Sequence, residues 1–400
     1  MYWKYRRKAV FPFVEDIFYT HYSLFHIISA TIFCMSLSIG IVGLPNVGKS
    51  TLFNALTKKQ VPAENFPFCT IDPSVGVVAV PDRRLTQLSD LSKSEKTIPA
   101  VVEFVDIAGL VKGASEGEGL GNQFLMNIRS TDAIAEVVRL FDDPDISHVH
   151  GEVDPLRDIE VINLELVLAD MQTVAKRREK TQKEAKTGEK MALAEMALLD
   201  KVMGVLEHGK LASTASYSKT EMDIVRTLHL LTMKPILYVL NRKGSVVNVD
   251  AEGLERWRVL QNFLTEQNAP YVFVDAGVEN ELSDVHEDER DDFRRELGVV
   301  ENGVDALIRK GYEMLDLISF FTTGEKESRA WTIANGSKAP EAGAAIHSDF
   351  RDKFIRADTI QWDTLLGAGS WSVAREKGLV RSEGKEYVVR DGDVMEFRHS

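Results

Sequence analysis

Eight residues, Gly43-Leu44-Pro45-Asn46-Val47-Gly48-Lys49-Ser50, constrain this chain more than any other stretch. They fit the spacing Gly-x-x-x-x-Gly-Lys-Ser/Thr. Its glycines let the backbone curl so that N–H groups point inward at phosphate oxygens. Lys49 aims an ammonium at the outer phosphates of a nucleoside triphosphate, and Ser50 offers a hydroxyl to Mg²⁺. The flanks agree with the loop. Leu37 to Val42 is an apolar run of buried-strand length, and Thr51 to Lys58 reads as the following helix. That helix turns its positive N-terminal end toward the phosphates. Asn46, Val47, Gly48, Lys49, Ser50 and Thr51 are therefore the expected phosphate-binding set.

Companion motifs narrow the class. Asp106-Ile107-Ala108-Gly109 ends a strand, where a carboxylate holds Mg²⁺ through water and the Gly109 N–H reaches the γ-phosphate. Thr70, in Asn65-Phe66-Pro67-Phe68-Cys69-Thr70, sits between the first helix and the second strand, where it closes over Mg²⁺ as a switch residue. Asp106, Thr70 and Ser50 make the expected metal set. After the Asp-x-x-Gly motif many switch enzymes carry a Gln that orients the attacking water. This chain has Leu110, which has no hydrogen-bonding group, so slow intrinsic hydrolysis is expected. Lys49, Gly109 and Leu110 are the expected catalytic positions.

Guanine readers use Asn-Lys-x-Asp, whose Asp accepts from the base. Here the sequence is Asn241-Arg242-Lys243-Gly244, with no carboxylate three residues on. That loss removes about 1.5–3 kcal/mol per charge-assisted hydrogen bond. Asn pairs with adenine N6 and N7 through its own donor and acceptor. ATP is expected over GTP, with Asn241 and Arg242 at the base.

The rest of the chain supports an α/β fold with additions. Its 400 residues suggest two or three domains. A net charge of −13 excludes long-range attraction of the whole molecule to nucleic acid, so any RNA contact needs a local basic patch. Two cysteines, Cys34 and Cys69, argue for a reducing compartment and a cytoplasmic protein. Residues 1–34 form an N-terminal extension with Lys4, Arg6, Arg7 and Lys8 ahead of an aromatic, apolar stretch. A poor membrane span, a presequence and a mis-assigned start with Met35 as first residue are the readings; the last is expected, with no stable membrane association.

Residues 35–155 and 231–314 are expected to form the nucleotide domain, a parallel sheet with crossover helices. Its candidate strands are Leu37–Val42, Val75–Val80, Val101–Asp106, Ala133–Phe141, Ile236–Leu240 and Tyr271–Val274. Residues 156–230 are an inserted helical hairpin or short coiled coil. One helix carries Ile159, Ile162 and Leu166 at helical spacing, and Leu164, Val167, Met171 and Val174 likewise. After a break at Gly188 the next carries Leu193, Met196, Leu199, Met203 and Leu206. The acidic stretch Glu279 to Glu296 reads as solvated helix and loop. Residues 315–400 are a small α+β module with strands Ser319–Thr322, Arg329–Ile333, Tyr387–Val389 and Val394–Phe397.

The chain resembles the YchF subfamily of the Obg-like NTPases, the Obg-like ATPases, over residues 35–400. The resemblance is carried by the phosphate loop, by Asn-Phe-Pro-Phe-Cys-Thr-Ile-Asp-Pro at 65–73, and by the segment at 106–125 running from Asp106 through Gly109 and Leu110 to Leu125. Residues 329–333 and 346–350 are similar to the family's TGS domain, a β-grasp module. The resemblance implies a P-loop, GTPase-like domain with the helical insertion and a C-terminal TGS domain. It implies ATP hydrolysis with Mg²⁺ and binding to the ribosome, the large subunit in particular. A hydrophobic residue at the Gln position is a family trait, matched by Leu110. Two departures stand out: Arg242-Lys243-Gly244 replaces a stretch that usually ends in Glu, and Glu136 replaces a His considered to position water. K⁺ beside Asn46 follows from potassium-activated relatives.

Residues 176–190 hold seven Lys or Arg against three Glu, a local charge of +4. Read functionally this is an RNA-contacting helical tip; read blandly it is a solvated turn with i,i+4 pairs. Cys69 beside Thr70 is a redox-sensitive switch element or a small semi-buried residue. The nine His, His347 included, show no metal-ligand spacing. A monomeric ribosome-associated ATPase switch is the leading reading. A GTP-preferring switch and a non-hydrolysing RNA or ribosome adaptor are the alternatives.

Overall fold

The computed structural model describes residues 37–59, 72–107, 119–146, 151–186, 188–251, 255–297 and 302–400. The chain separates into Met1–Met35 and Ser36–Ser400, and every described residue belongs to the second unit.

A six-stranded sheet carries the nucleotide motifs. Its strands are β1 (Ser38–Val42), β2 (Val75–Ala79), β4 (Val101–Asp106), β5 (Ala133–Arg139), β6 (Ile236–Asn241) and β7 (Tyr271–Val274), in the order β2-β4-β1-β5-β6-β7. β1 pairs in parallel with β4 and β5, β5 with β6, and β6 with β7. β1, β5 and β6 are buried along their whole length, as expected of parallel strands covered on both faces. One expectation needs correction: β2 runs antiparallel to β4, so the sheet is mixed. The connection from β2 to β4 runs through the helix Arg83–Ser92 and β3 (Lys96–Ile98). β5 also stops at Arg139 rather than Phe141, which makes only an isolated bridge to Asn248.

Helices α1 (Lys49–Thr57), α2 (Arg83–Ser92) and α3 (Gly119–Ser130) follow β1, β2 and β4. Two long helices, α4 (Pro155–Ala185) and α5 (Lys190–Glu207), and a shorter α6 (Lys219–Thr227) lie between β5 and β6. α4 starts on Asp154, whose side chain accepts from the Arg157 N–H, and has Pro155 at its first position. Val167, Val174, Leu198, Leu199, Val202, Leu206 and Val225 close a separate small core. Most of the expected faces are buried, Val167, Val174, Leu199 and Leu206 in the core with Met171 and Met203 packed against it, but two positions differ. Leu164 is 51% and Leu193 52% exposed, while Leu198 and Val202 are buried. The contact stripe follows α4–α5 packing, which the spacing of apolar residues alone leaves ambiguous.

After β6 come α7 (Glu255–Glu266), β7, α8 (Ala276–Leu282), α9 (Glu287–Glu296) and α10 (Gly303–Met314). The acidic stretch is not wholly solvated. Glu279 is 3% exposed, accepts from the Gly303 N–H at 3.0 Å through Oε1 and pairs with Arg294.

A second sheet holds β8 (Leu317–Thr323), β9 (Glu327–Ala334), β10 (Phe354–Gln361), β11 (Arg381–Glu383) and β12 (Asp393–His399), in the order β11-β10-β12-β8-β9-β3. Helices α11 (Ala339–Ile346), α12 (Ser348–Asp352), α13 (Trp362–Ala368) and α14 (Trp371–Glu376) complete it. Tyr387–Val389 is not a strand; Val388 makes one isolated bridge to Lys338. β10 and β11 take the expected place instead. The edge strand β3 comes from the β2–β4 connection of the first sheet and pairs in parallel with β9, Lys96 opposite Glu327 and Ile98 opposite Arg329.

Candidate functional site: a buttressed phosphate loop

The phosphate loop lies at the C-terminal ends of β1 and its neighbours, where open α/β sheets bind ligands. Asn46 and Gly48 adopt positive φ, 64° and 93°. Gly48 has a second reason to be glycine: an added Cβ would lie 2.2 Å from Asn241 Nδ2. The loop's carbonyls are held from behind. Asn241 Nδ2 donates to the Val47 carbonyl at 2.8 Å, and Arg139 Nη1 reaches the Asn46 carbonyl at 3.5 Å. Fixing carbonyls on one side leaves amides for the other, the requirement for an anion-binding nest. Gly48 O accepts from the Leu52 N–H at 3.0 Å, which starts α1.

Lys49 and Asp106 meet directly. The ammonium and carboxylate form an ion pair, with side chains 11% and 26% exposed. β1 and β4 are register partners, so the loop's cation and the strand-end carboxylate converge on one spot. Ser50 is exposed in the first turn of α1, and Thr51 is half-buried behind it. The donor set is hard oxygen, a hydroxyl and a carboxylate. Among the described residues no three His, Cys, Asp or Glu cluster as a metal cage. Both facts fit Mg²⁺, which binds through one or two protein oxygens plus phosphates rather than in an all-protein cage. Thr70, Cys69, Gly109 and Leu110 lie outside the described residues.

Asn241 ends β6 beside the phosphate loop, and Arg242 follows it. Asn241 is 3% exposed, and its amide is engaged at both ends. Besides the bond to Val47, its Oδ1 accepts from the Ala276 N–H at 3.0 Å. It pins the phosphate loop to the β7–α8 turn. Arg242 stacks its guanidinium 3.6 Å from the Phe273 ring centroid and pairs with Asp250. Its N–H donates to the Val274 carbonyl at 2.8 Å. Lys243 pairs with Asp143. Gly244 N–H donates to Asp275 Oδ2 at 2.8 Å, and Val278 N–H to Asp275 Oδ1 at 3.0 Å.

Two of these residues escaped sequence reasoning. Arg139 is 1% exposed and donates through Nε to the Phe141 carbonyl at 2.9 Å and through Nη2 to the Ile146 carbonyl at 3.1 Å. An arginine closing a strand that is apolar except for Glu136 was the available signal. Asp275 was announced by Asp-Ala-Gly directly after the strand Tyr271–Val274, at a strand's C-terminal end. Glu136, by contrast, is shut inside the sheet. It is 1% exposed in mid-β5, opposite Val42 and Tyr238, and neither carboxyl oxygen has a hydrogen-bond partner. Burial holds its carboxyl well above the usual carboxylate range, and the nearby Asp158 pushes the same way.

Comparison with known proteins agrees with this geometry. Residues 38–177 match the family model MMR_HSR1, described as "50S ribosome-binding GTPase", and residues 317–400 match YchF-GTPase_C, described as "Protein of unknown function (DUF933)". The "Ribosome-binding ATPase YchF" of Bacillus subtilis (strain 168) is 50% identical, across 91% of this chain and 99% of the relative. The protein of that name from Escherichia coli O157:H7 is 49% identical over the same shares. The solved structure of the Schizosaccharomyces pombe YchF GTPase superposes with a TM-score of 0.81 at 36% identity, covering 91% of this chain and 98% of that one. With its phosphate loop, its mixed sheet and near full-length identity of this order, the chain belongs to the YchF family of P-loop NTPases.

Proposed function

We propose that this chain is a Mg²⁺-dependent nucleoside-triphosphatase that hydrolyses ATP in preference to GTP and acts as a ribosome-associated switch in the cytoplasm. The observation that carries the reading is the pairing of Lys49 with Asp106 beneath a loop whose carbonyls are tied back by Asn241 and Arg139. The printed names of the Bacillus and Escherichia relatives support the ATPase and ribosome assignments. The match to a 50S ribosome-binding model supports the large subunit as partner.

In this reading Asn46, Val47, Gly48, Lys49, Ser50 and Thr51 bind phosphates. Ser50, Thr70 and, through water, Asp106 hold Mg²⁺, which neutralises phosphate charge when bound. Lys49 leaves Asp106 for the outer phosphates and, with the loop amides, stabilises charge on the transferring phosphoryl group. Gly109 offers its N–H to the γ-phosphate. Leu110 positions no water, and the buried Glu136 cannot, so unassisted turnover is slow. K⁺ beside Asn46 is part of the same proposal, tested by comparing hydrolysis in KCl and NaCl.

The division into a nucleotide domain (35–155 and 231–314), a helical insertion (156–230) and a TGS domain (315–400) is the working description, with a monomer as the acting form. RNA is met by the TGS domain or by the basic helical tip.

Steady-state phosphate release from Mg·ATP tests the enzyme assignment. Wild type releases phosphate and Lys49→Ala does not. Equal release by both proteins would reduce the chain to a binding module.

A further inference from the structure

Position 244 is where purine readers carry the carboxylate that accepts from the base, three residues after Asn241, and it is a glycine. The structure has a carboxylate beside that vacancy on a different strand end. A Cβ added to Gly244 would stand 3.6 Å from Asp275 Oδ2. The oxygen thus lies at the root of the missing side chain. We propose that Asp275 supplies the purine-reading carboxylate of this pocket and is what retains GTP as a ligand beside ATP. The proposal rests on the nucleotide-site reading above and deepens it.

Three observations support it. Asp275 follows β7 directly and precedes Ala276, whose N–H is held by Asn241, the residue that also holds the phosphate loop. The carboxylate is therefore tied to the phosphate site through one shared amide. Its two oxygens accept from the Gly244 and Val278 N–H groups, which fixes the carboxylate plane and leaves each oxygen a further lone pair. The two cations in the neighbouring loop are directed elsewhere, Arg242 to Asp250 and Lys243 to Asp143. A carboxylate that is acceptor-only matches the guanine edge, where N1–H and the 2-amino group both donate. Adenine offers only one donor there, its 6-amino group, beside an acceptor nitrogen. Asp275 therefore favours guanine, and the ATP preference is narrower than the loss at position 244 alone dictates.

The test measures dissociation constants of Mg²⁺ complexes of ATP, GTP and xanthosine triphosphate for the full chain and for Asp275→Asn. Xanthine replaces the 2-amino donor with a carbonyl acceptor, which an amide side chain matches and a carboxylate repels. In Asp275→Asn, GTP is expected to weaken by about tenfold or more relative to ATP, and xanthosine triphosphate to tighten by about tenfold. Asp275→Ser keeps an acceptor for the Val278 N–H, so it reports if the Asn variant does not fold; its GTP-to-ATP ratio falls likewise, with no gain for xanthosine triphosphate. Equal weakening of ATP and GTP with no xanthine gain would mean that Asp275 only fastens the turn, and would overturn the proposal. If wild type binds none of the three, the nucleotide-site reading itself fails first.

Discussion

Asn241 shows how one side chain sets the shape of a binding loop. Its amide is buried and bridges the Val47 carbonyl and the Ala276 N–H. Asn241→Ala leaves both groups buried without partners, a cost of about 2–4 kcal/mol. Thermal unfolding should show that loss, together with weaker ATP binding; an unchanged melting temperature would contradict the buttress. The phosphate loop was legible in sequence because its function depends on backbone spacing between local residues. The buttress was not, because its bonds join residues 194 and 35 positions apart. Glu136 was legible as an oddity, a carboxylate inside the apolar run Ala133–Val138, but its burial depends on α4 covering it. Its folded-state pKa lies above the unfolded value, so the native state binds the proton more tightly. Stability is fully present below the unfolded carboxyl pKa and is lost as pH rises toward the folded value. Glu136→Gln should therefore gain about 1–3 kcal/mol at pH 8 and little at pH 4, read by urea unfolding at the two pH values. An equal effect at both pH values would contradict a neutral buried carboxyl.

The element that most changes the sequence-based picture is β3. Three residues from the nucleotide-binding half form the edge of the C-terminal sheet, and Glu95 N–H donates to the Glu325 carbonyl at 2.8 Å beside them. Hydroxyls reinforce the join: Ser94 with Ser328 at 2.7 Å and Ser92 with Thr323 at 2.7 Å. A three-residue strand with no alternation carries no period for a sequence reading to detect, and its partner lies far along the chain. Arg84 of α2 adds a clasp, pairing with Asp82 at 2.7 Å and Asp391 at 2.6 Å and lying 5.2 Å from the Phe321 ring centroid. Its partial exposure discounts the pairs. Arg84→Ala is still expected to cost about 1–2 kcal/mol in urea unfolding, since it removes the bonds to Asp82 and Asp391 and the packing on Phe321. A change below about 0.5 kcal/mol would mean that the clasp is decorative. α4 and α5 were legible as helices from the spacing of their apolar residues, which also marked most of the buried face; the exposure of Leu164 and Leu193 depends on how the two helices pack.

Charge organises the chain as a unit. A body of net charge −13 carries a basic tip between α4 and α5. Two of the tip's arginines are spent internally, Arg177 on Glu195 and Arg178 on Asp200, while Lys176, Lys180, Lys183, Lys186 and Lys190 are exposed. If those lysines touch phosphates, exchanging Lys180, Lys183 and Lys186 for Glu should weaken ribosome binding. The slope of log affinity against log salt should fall by about 2–3, since each phosphate contact contributes roughly 0.7–0.9. An unchanged slope would return the tip to a solvated turn. The fold class was legible because strand, loop and helix are each encoded locally. The mixed edge of the first sheet and its fusion to the second depend on contacts between distant segments, which no local pattern records. The loop, its buttress and the Lys49–Asp106 pair together form a pocket shaped to grip a polyphosphate. Isothermal calorimetry with Mg²⁺ and ATP tests it most directly: wild type gives saturable, one-to-one heat that Lys49→Ala loses, whereas no heat from wild type with either ATP or GTP would contradict the account.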